Sequence, residues 1–135
     1  MGKPAAVMGD KVTGVDTHIV MVPSAGGPVP TPLPHPFSGT ITGNCSTNVL
    51  IGGKGAAVVG SKATNAPPHV PTAPGTTFQA PPNNQGTVMP PGSATVLINN
   101  KPAAHVGDQV QTCNDPAPAP TCTIVGPGAA TVLIA

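Results

Sequence analysis

Short aliphatic runs separated by turn-forming residues fill the chain, and the same run keeps returning. Val-Leu-Ile stands at 49–51, 96–98 and 132–134. Gly52-Gly53 follows the first of these and Asn99-Asn100 the second, residues that accept the positive φ a tight hairpin turn needs. Next comes an octapeptide, "KGAAVVGS" from Lys54 and "KPAAHVGD" from Lys101, with a third copy, "KPAAVMGD", from Lys3. This pattern predicts an aliphatic strand, a tight turn, and a return strand with small Ala residues where backbones come close. The Gly-Asp or Gly-Ser ending then makes a second turn. No stretch of ten or more residues spaces its apolar positions at i, i+3, i+4, i+7, so almost no helix is expected.

The repetition extends beyond the octapeptide. "NVLIGGKGAAVVGS" aligns without a gap to "TVLINNKPAAHVGD". The first octapeptide lacks a preceding Val-Leu-Ile, and the last Val-Leu-Ile lacks a following octapeptide. The chain thus reads as a circularly cut set of three units. Three related hairpins predict a pseudo-three-fold arrangement in one domain over residues 1–135, a form able to cap a true three-fold trimer. The connections "VPSAGGPVPTPLPHPFSG" and "APPHVPTAPGTTFQAPPNNQGTVMPPG" are rich in proline. Proline fixes φ and removes a donor, so these segments are expected to be stiff and outside the interior of a sheet.

Composition changes this picture only in part. With 20 Pro and 17 Gly, the chain could pass for a low-complexity segment. Yet 39% of it is apolar and the net charge is only +1, which points to an ordered all-β protein with a thin core. All cations are Lys, all anions Asp, and they are scattered singly. No basic stripe or aromatic platform is present to hold nucleic acid. There is no Sec-type leader and no apolar run near the roughly 20 residues of a membrane helix, so synthesis in the cytoplasm without a cleavable signal is expected.

"KPAAHVGD", with "TVLINN" before it, resembles the repeated unit of the PAAR family, named for its Pro-Ala-Ala-Arg tetrapeptide. Val7, Val58 and His105 stand where that motif has Arg. The resemblance implies a small conical β protein that sharpens the spike of a contractile injection system, whether a type VI secretion machine, an extracellular particle or a phage tail. It further implies docking onto a trimeric β-helical spike protein of the VgrG type, one tip per trimer. The docking strands would be Val49, Leu50 and Ile51, Val96, Leu97 and Ile98, and Val132, Leu133 and Ile134. Separate effectors and, transiently, the target envelope are further expected partners. With no domain before Lys3 or after Ala135, no toxin of its own is expected.

The four histidines and three cysteines fall unevenly on the repeat. His18 lies eight residues beyond Asp10 and His69 eight beyond Ser61, the same place in two units. Pro116 holds that place in the third, but Cys113 stands five beyond Asp108. His35 sits in "PLPHPF". Together His18, His35, His69 and Cys113 make a three-His, one-Cys set suited to tetrahedral Zn2+. The resemblance implies a metal near the vertex held by a set of this composition, with a structural role. His105 reads as a packing or interface residue, Cys45 as a small buried one. Cys122 could pair with Cys113 or replace it as a ligand. The Asp residues read mainly as turn formers. A small zinc enzyme is the rival reading, but with no Glu the chain lacks the usual zinc-hydrolase base. A metal-free repetitive β adhesin or coat protein is the other.

Overall fold

The structure, a computed structural model, describes residues 2–135, with Ala130 described by its backbone alone. In chain order the strands are β1 (Lys3–Ala5), β2 (Lys11–Val22), β3 (Val29–Gly43), β4 (Leu50–Ile51), β5 (Lys54–Gly55), β6 (Lys62–Asn65) and β7 (Thr77–Phe78). There follow β8 (Gln85–Val88), β9 (Leu97–Ile98), β10 (Lys101–Pro102), β11 (Gln109–Thr112), β12 (Ala119–Gly126) and β13 (Ala129–Ile134). Among the described residues there is no helix, and the fold is all-β with pseudo-three-fold repetition.

Each Val-Leu-Ile pairs with an octapeptide. β4 pairs with β5 and β9 with β10, both antiparallel. Their two-residue turns have φ of 60° and 81° at Gly52 and Gly53, and of 52° and 68° at Asn99 and Asn100. Positive φ at both central residues is the type I′ geometry that suits the twist of a hairpin. The first octapeptide takes its partner from the other end of the chain. β1 pairs with β13, and Lys3 faces Ile134 as Lys54 faces Ile51 and Lys101 faces Ile98.

The three octapeptides then close on one another. The Ala6 amide donates to Ala104 O, the Ala104 amide to Ala57 O, and the Ala57 amide to Ala6 O, at 2.9–3.0 Å. A second cycle runs from Met8 to Gly55, Val59 to Pro102 and Val106 to Pro4. Such close approach of three backbones explains why the motif keeps Ala where it does. Each octapeptide ends on an acceptor for its own turn. Asp10 Oδ2, Ser61 Oγ and Asp108 Oδ2 accept from the amides of Val7, Val58 and His105, each at 2.9 Å.

From each turn a strand leaves and returns: β2 and β3, β6 and β8, β11 and β12. These six close in the order β2-β3-β6-β8-β11-β12 and back to β2. Period-2 alternation turns Val12, Ala63 and Val110 inward from the outgoing strands, and Ile41, Val88 and Ile124 from the returning ones. The Ala ring closes this core below, and a second cluster holds Ala5, Ala56, Ala103, Ile98 and Ile134. Unit one is longest, with β2 and β3 paired from Lys11↔Thr40 to Val22↔Val29. β7 adds to the far end of β2, with Phe78 facing Val20.

Two sequence expectations change here. The first Pro-rich connection does not stay outside the sheet: residues 29–43 are β3. Pro30, Pro32, Pro34 and Pro36 occupy alternate positions, so their missing donors all lie on the edge away from β2. The nine expected docking residues also divide. Leu50, Leu97 and Leu133 are 59–63% exposed, whereas Ile98 and Ile134 are buried in the chain's own lower core and Ile51 and Val96 pack against it.

Candidate metal centre

The barrel's apolar core ends at Phe37, and polar side chains fill the space beyond it. Residues 12, 14, 16, 18 and 20 share the inward face of β2, so Asp16 and His18 both point inside, and neither has any exposure. In the register of β2 with β3, Asp16 faces His35, which is also buried. Beyond β6 the backbone rises to His69, whose amide donates to Asn84 Oδ1 at 2.7 Å. Cys113 follows immediately after β11 and is buried.

All four expected ligand residues therefore meet at one end of the barrel. The His18 ring lies 5.2 Å from that of His35 and 4.8 Å from that of His69. Cys113 Sγ is 3.7 Å from His18 Nε2. The tightest donor group is a different four: one ligand atom each from Asp16, His18, His69 and Cys113, all within 4.8 Å of one another. The ring nitrogens of His35 are engaged elsewhere. Nδ1 donates to Leu33 O at 2.9 Å, and Nε2 accepts from the Thr72 amide at 3.1 Å. Imidazole nitrogens, a thiol and a carboxyl are a donor chemistry that fits Zn2+.

Outer contacts orient these groups. His18 Nδ1 is 3.3 Å from Asp115 Oδ2, which also accepts from the Ile19 amide at 3.1 Å. That leaves Nε2 directed inward, the usual arrangement of a metal-bound imidazole steadied by a carboxylate. Burial, followed by the neighbouring Asp16, pushes the Cys113 thiol up to about 11. Burial lowers the pKa of His69, against an opposing hydrogen bond from Asp16, and so favours the neutral imidazole a metal needs.

The remaining candidates sit elsewhere. His105 is in the octapeptide layer, bridged to Ala5, with Nδ1 2.6 Å from Asp108 Oδ1. Cys122 is buried in the barrel core, its Sγ 3.7 Å from Thr112 Oγ1, and its thiol is free, as are those of Cys113 and Cys45. Cys45 is half-buried against the same core. The expectation that the Asp residues form turns holds for Asp10 and Asp108 and fails for Asp16, which lies in mid-strand. Its signal in the sequence was parity: Asp-Thr-His puts two polar side chains on the inward face of one strand.

Fold and site together define a class: a closed β protein of three hairpin units with a His/Cys/Asp cluster where its core ends. A family model described as PAAR motif matches residues 78–135, which hold the third unit and the strand that completes the first. Over that part of its length the chain is similar to PAAR-motif proteins. No curated protein matches it.

Proposed function

We propose that residues 1–135 act as the piercing tip of a contractile injection system, capping a trimeric β-helical spike with the hairpin end and leading with the His/Cys end. The observation that carries this reading is the cyclic hydrogen bonding of Ala6, Ala104 and Ala57. It sets three similar but non-identical units around one axis, so one copy can meet three identical subunits. Each unit offers one exposed leucine, Leu50, Leu97 or Leu133, and one exposed lysine, Lys54, Lys101 or Lys3. Exposed apolar groups repeated in this way suit a partner surface.

Zinc would hold the leading end together. His18 belongs to unit one, His69 to unit two and Cys113 to unit three, with His35 and Asp16 adjoining them. A bound ion would therefore tie all three units at the point where the apolar core runs out, supplying stability that so small a core lacks. The role is structural, and the work of the molecule is mechanical. Separate effectors would travel on the same spike, from the producing cell's cytoplasm into the target.

Native mass spectrometry with the spike protein tests the docking. One chain per three spike subunits is expected. Leu97→Asp places a charge that docking would have to desolvate without a counter-ion, and should abolish the complex. Leu97 is 63% exposed, so the free variant should keep its stability to within about 0.5 kcal/mol. A three-to-three complex, or full binding by the variant, would overturn the proposal.

A further inference from the structure

Charge is scarce in this chain and unevenly placed. Of its five lysines, Lys3, Lys54 and Lys101 take the same position in the three units, the first residue of each octapeptide. All three are exposed, and each faces an isoleucine across its strand pair: Ile134, Ile51 or Ile98. The exposed Leu133, Leu50 and Leu97 precede those isoleucines, so every hairpin carries one apolar group and one cation side by side.

Nothing inside the protein accounts for the cations. The salt bridges among the described residues all join histidine to aspartate. Both oxygens of Asp10 accept backbone amides, from Val7 and Gly128, and Asp108 is held by the amide and the ring of His105. Asp16 and Asp115 lie at the other end of the barrel, beside His18. No aspartate is left to face the three lysines. A type I′ turn does not call for an ammonium beside it either, since it requires only positive φ at its two central residues. The remaining lysines belong to the barrel: Lys11 opens β2, and Lys62 Nζ donates to Thr87 Oγ1 at 2.8 Å.

Three cations related by the same pseudo-axis as the alanine cycle are matched by three copies of one anion around a true axis. A carboxylate is the anion a protein surface supplies, and identical subunits present it three times from a single residue. Lysine stems lie along apolar surface while their ammonium groups stay at the rim, so such pairs would surround the leucine contacts and remain partly in water. Pairs of that kind add little to final affinity and much to the rate and orientation of encounter.

We infer that the partner of the hairpin end is a trimer bearing one carboxylate side chain per subunit beside an apolar seat for leucine, and that Lys3, Lys54 and Lys101 steer the tip onto it. This rests on reading the hairpin end as the face that caps the spike, and it adds the chemistry that spike surface must carry.

Association kinetics with the spike trimer, followed by surface plasmon resonance, test the inference. Raising salt from about 0.1 M to about 1 M shortens the Debye length from roughly 10 Å to 3 Å. Association of the wild-type protein should slow by about 10-fold or more over that range, with a smaller change in dissociation. A variant carrying Lys3→Gln, Lys54→Gln and Lys101→Gln together should associate slowly even at low salt and lose most of the salt dependence. The three single variants should each show a similar part of that loss, because the spike subunits are identical. Wild-type association that ignores salt overturns the inference, and so does one single variant that accounts for the whole effect. A triple variant that docks as fast as the parent but self-associates would show that the lysines only keep hairpin edges from pairing, which also overturns it. Failure of the wild-type protein to bind the trimer at any salt removes the docking reading itself.

Discussion

A single acceptor oxygen accounts for the last letter of each octapeptide. Asp10, Ser61 and Asp108 differ in charge, yet each takes the amide three residues back, so the position requires an oxygen rather than a carboxylate. Histidines divide in the same way by what they touch. His69→Ala should remove the bound metal, and with it about 2–3 kcal/mol of stability when the free ion stands ~100-fold above its dissociation constant. His105→Ala should retain one metal per chain by elemental analysis, because its polar partner is its own turn residue, Asp108. The metal-free protein should also respond to pH in a defined direction. Burial lowers the His69 pKa below 6.5, so the unfolded chain binds more protons in acid, and stability present above that value is lost as pH falls. The Cys113 thiol moves from 9.0 to about 11, so stability present below 9.0 is lost as pH rises toward 11. Melting temperatures of the chelated protein should therefore peak between about 7 and 9. A flat profile from 9 to 11 would count against the buried thiol. His18 and His69 were legible as a pair because the repeat gives them the same place in two units, and Cys113 joined them only as a thiol in the corresponding outgoing segment of the third. Asp16 was not legible, because its meaning depends on strand parity and on threonines about 100 residues away.

The strand β3 is the element the sequence described least well. Four prolines in a stretch of seven residues argue against a strand, since each lacks a donor. Their spacing, however, is two, which puts every missing donor on one edge. Thr31, Leu33 and His35 then direct their amides to β2, while Pro30, Pro32, Pro34 and Pro36 face away from it. Thr72 Oγ1 donating to Pro34 O marks that outward edge. Carbonyls without amides cannot template a further antiparallel strand, so the longest hairpin of the molecule carries a protected edge. Replacing Pro32 and Pro34 together by Thr should restore two donors there while leaving the β2–β3 register intact. Light scattering coupled to size exclusion should then find concentration-dependent oligomers where the parent stays monomeric. A variant monomeric at the same concentrations would mean the prolines serve stiffness alone. The hairpins at 49–57 and 96–104 were fully legible, because a two-residue turn is a local property. An edge is not local: it depends on which strands come to lie beside it.

At the scale of the whole molecule, the circular order of the units has a covalent consequence. The barrel closes through pairings between units, such as β12 with β2, which no repeat within one unit could announce. The circular cut, by contrast, was visible in the sequence, and the β1–β13 pairing realises it. Ile134 and Lys3 stand in the register of Ile51 with Lys54 and of Ile98 with Lys101. A bond from Ala135 to Gly2 would therefore leave two residues between them, the same number as Gly52-Gly53 and Asn99-Asn100 supply. Those turns have positive φ at both positions, which Gly accepts and Ala resists by roughly 1–2 kcal/mol. A permutant that carries Ala135→Asn, is joined there to Gly2 and is opened between Gly52 and Gly53 should fold to the same structure. It should melt within a few degrees of the parent and bind the same amount of metal. The same permutant with Ala135 retained should be less stable by roughly 1–2 kcal/mol in denaturant titrations. The opening removes a turn equivalent to the one created, so the count of closed hairpins is unchanged. If the permutant carrying Ala135→Asn is unfolded, or folds without binding metal, then the three units are not interchangeable around the axis, and the pseudo-three-fold reading of the docking end falls with it.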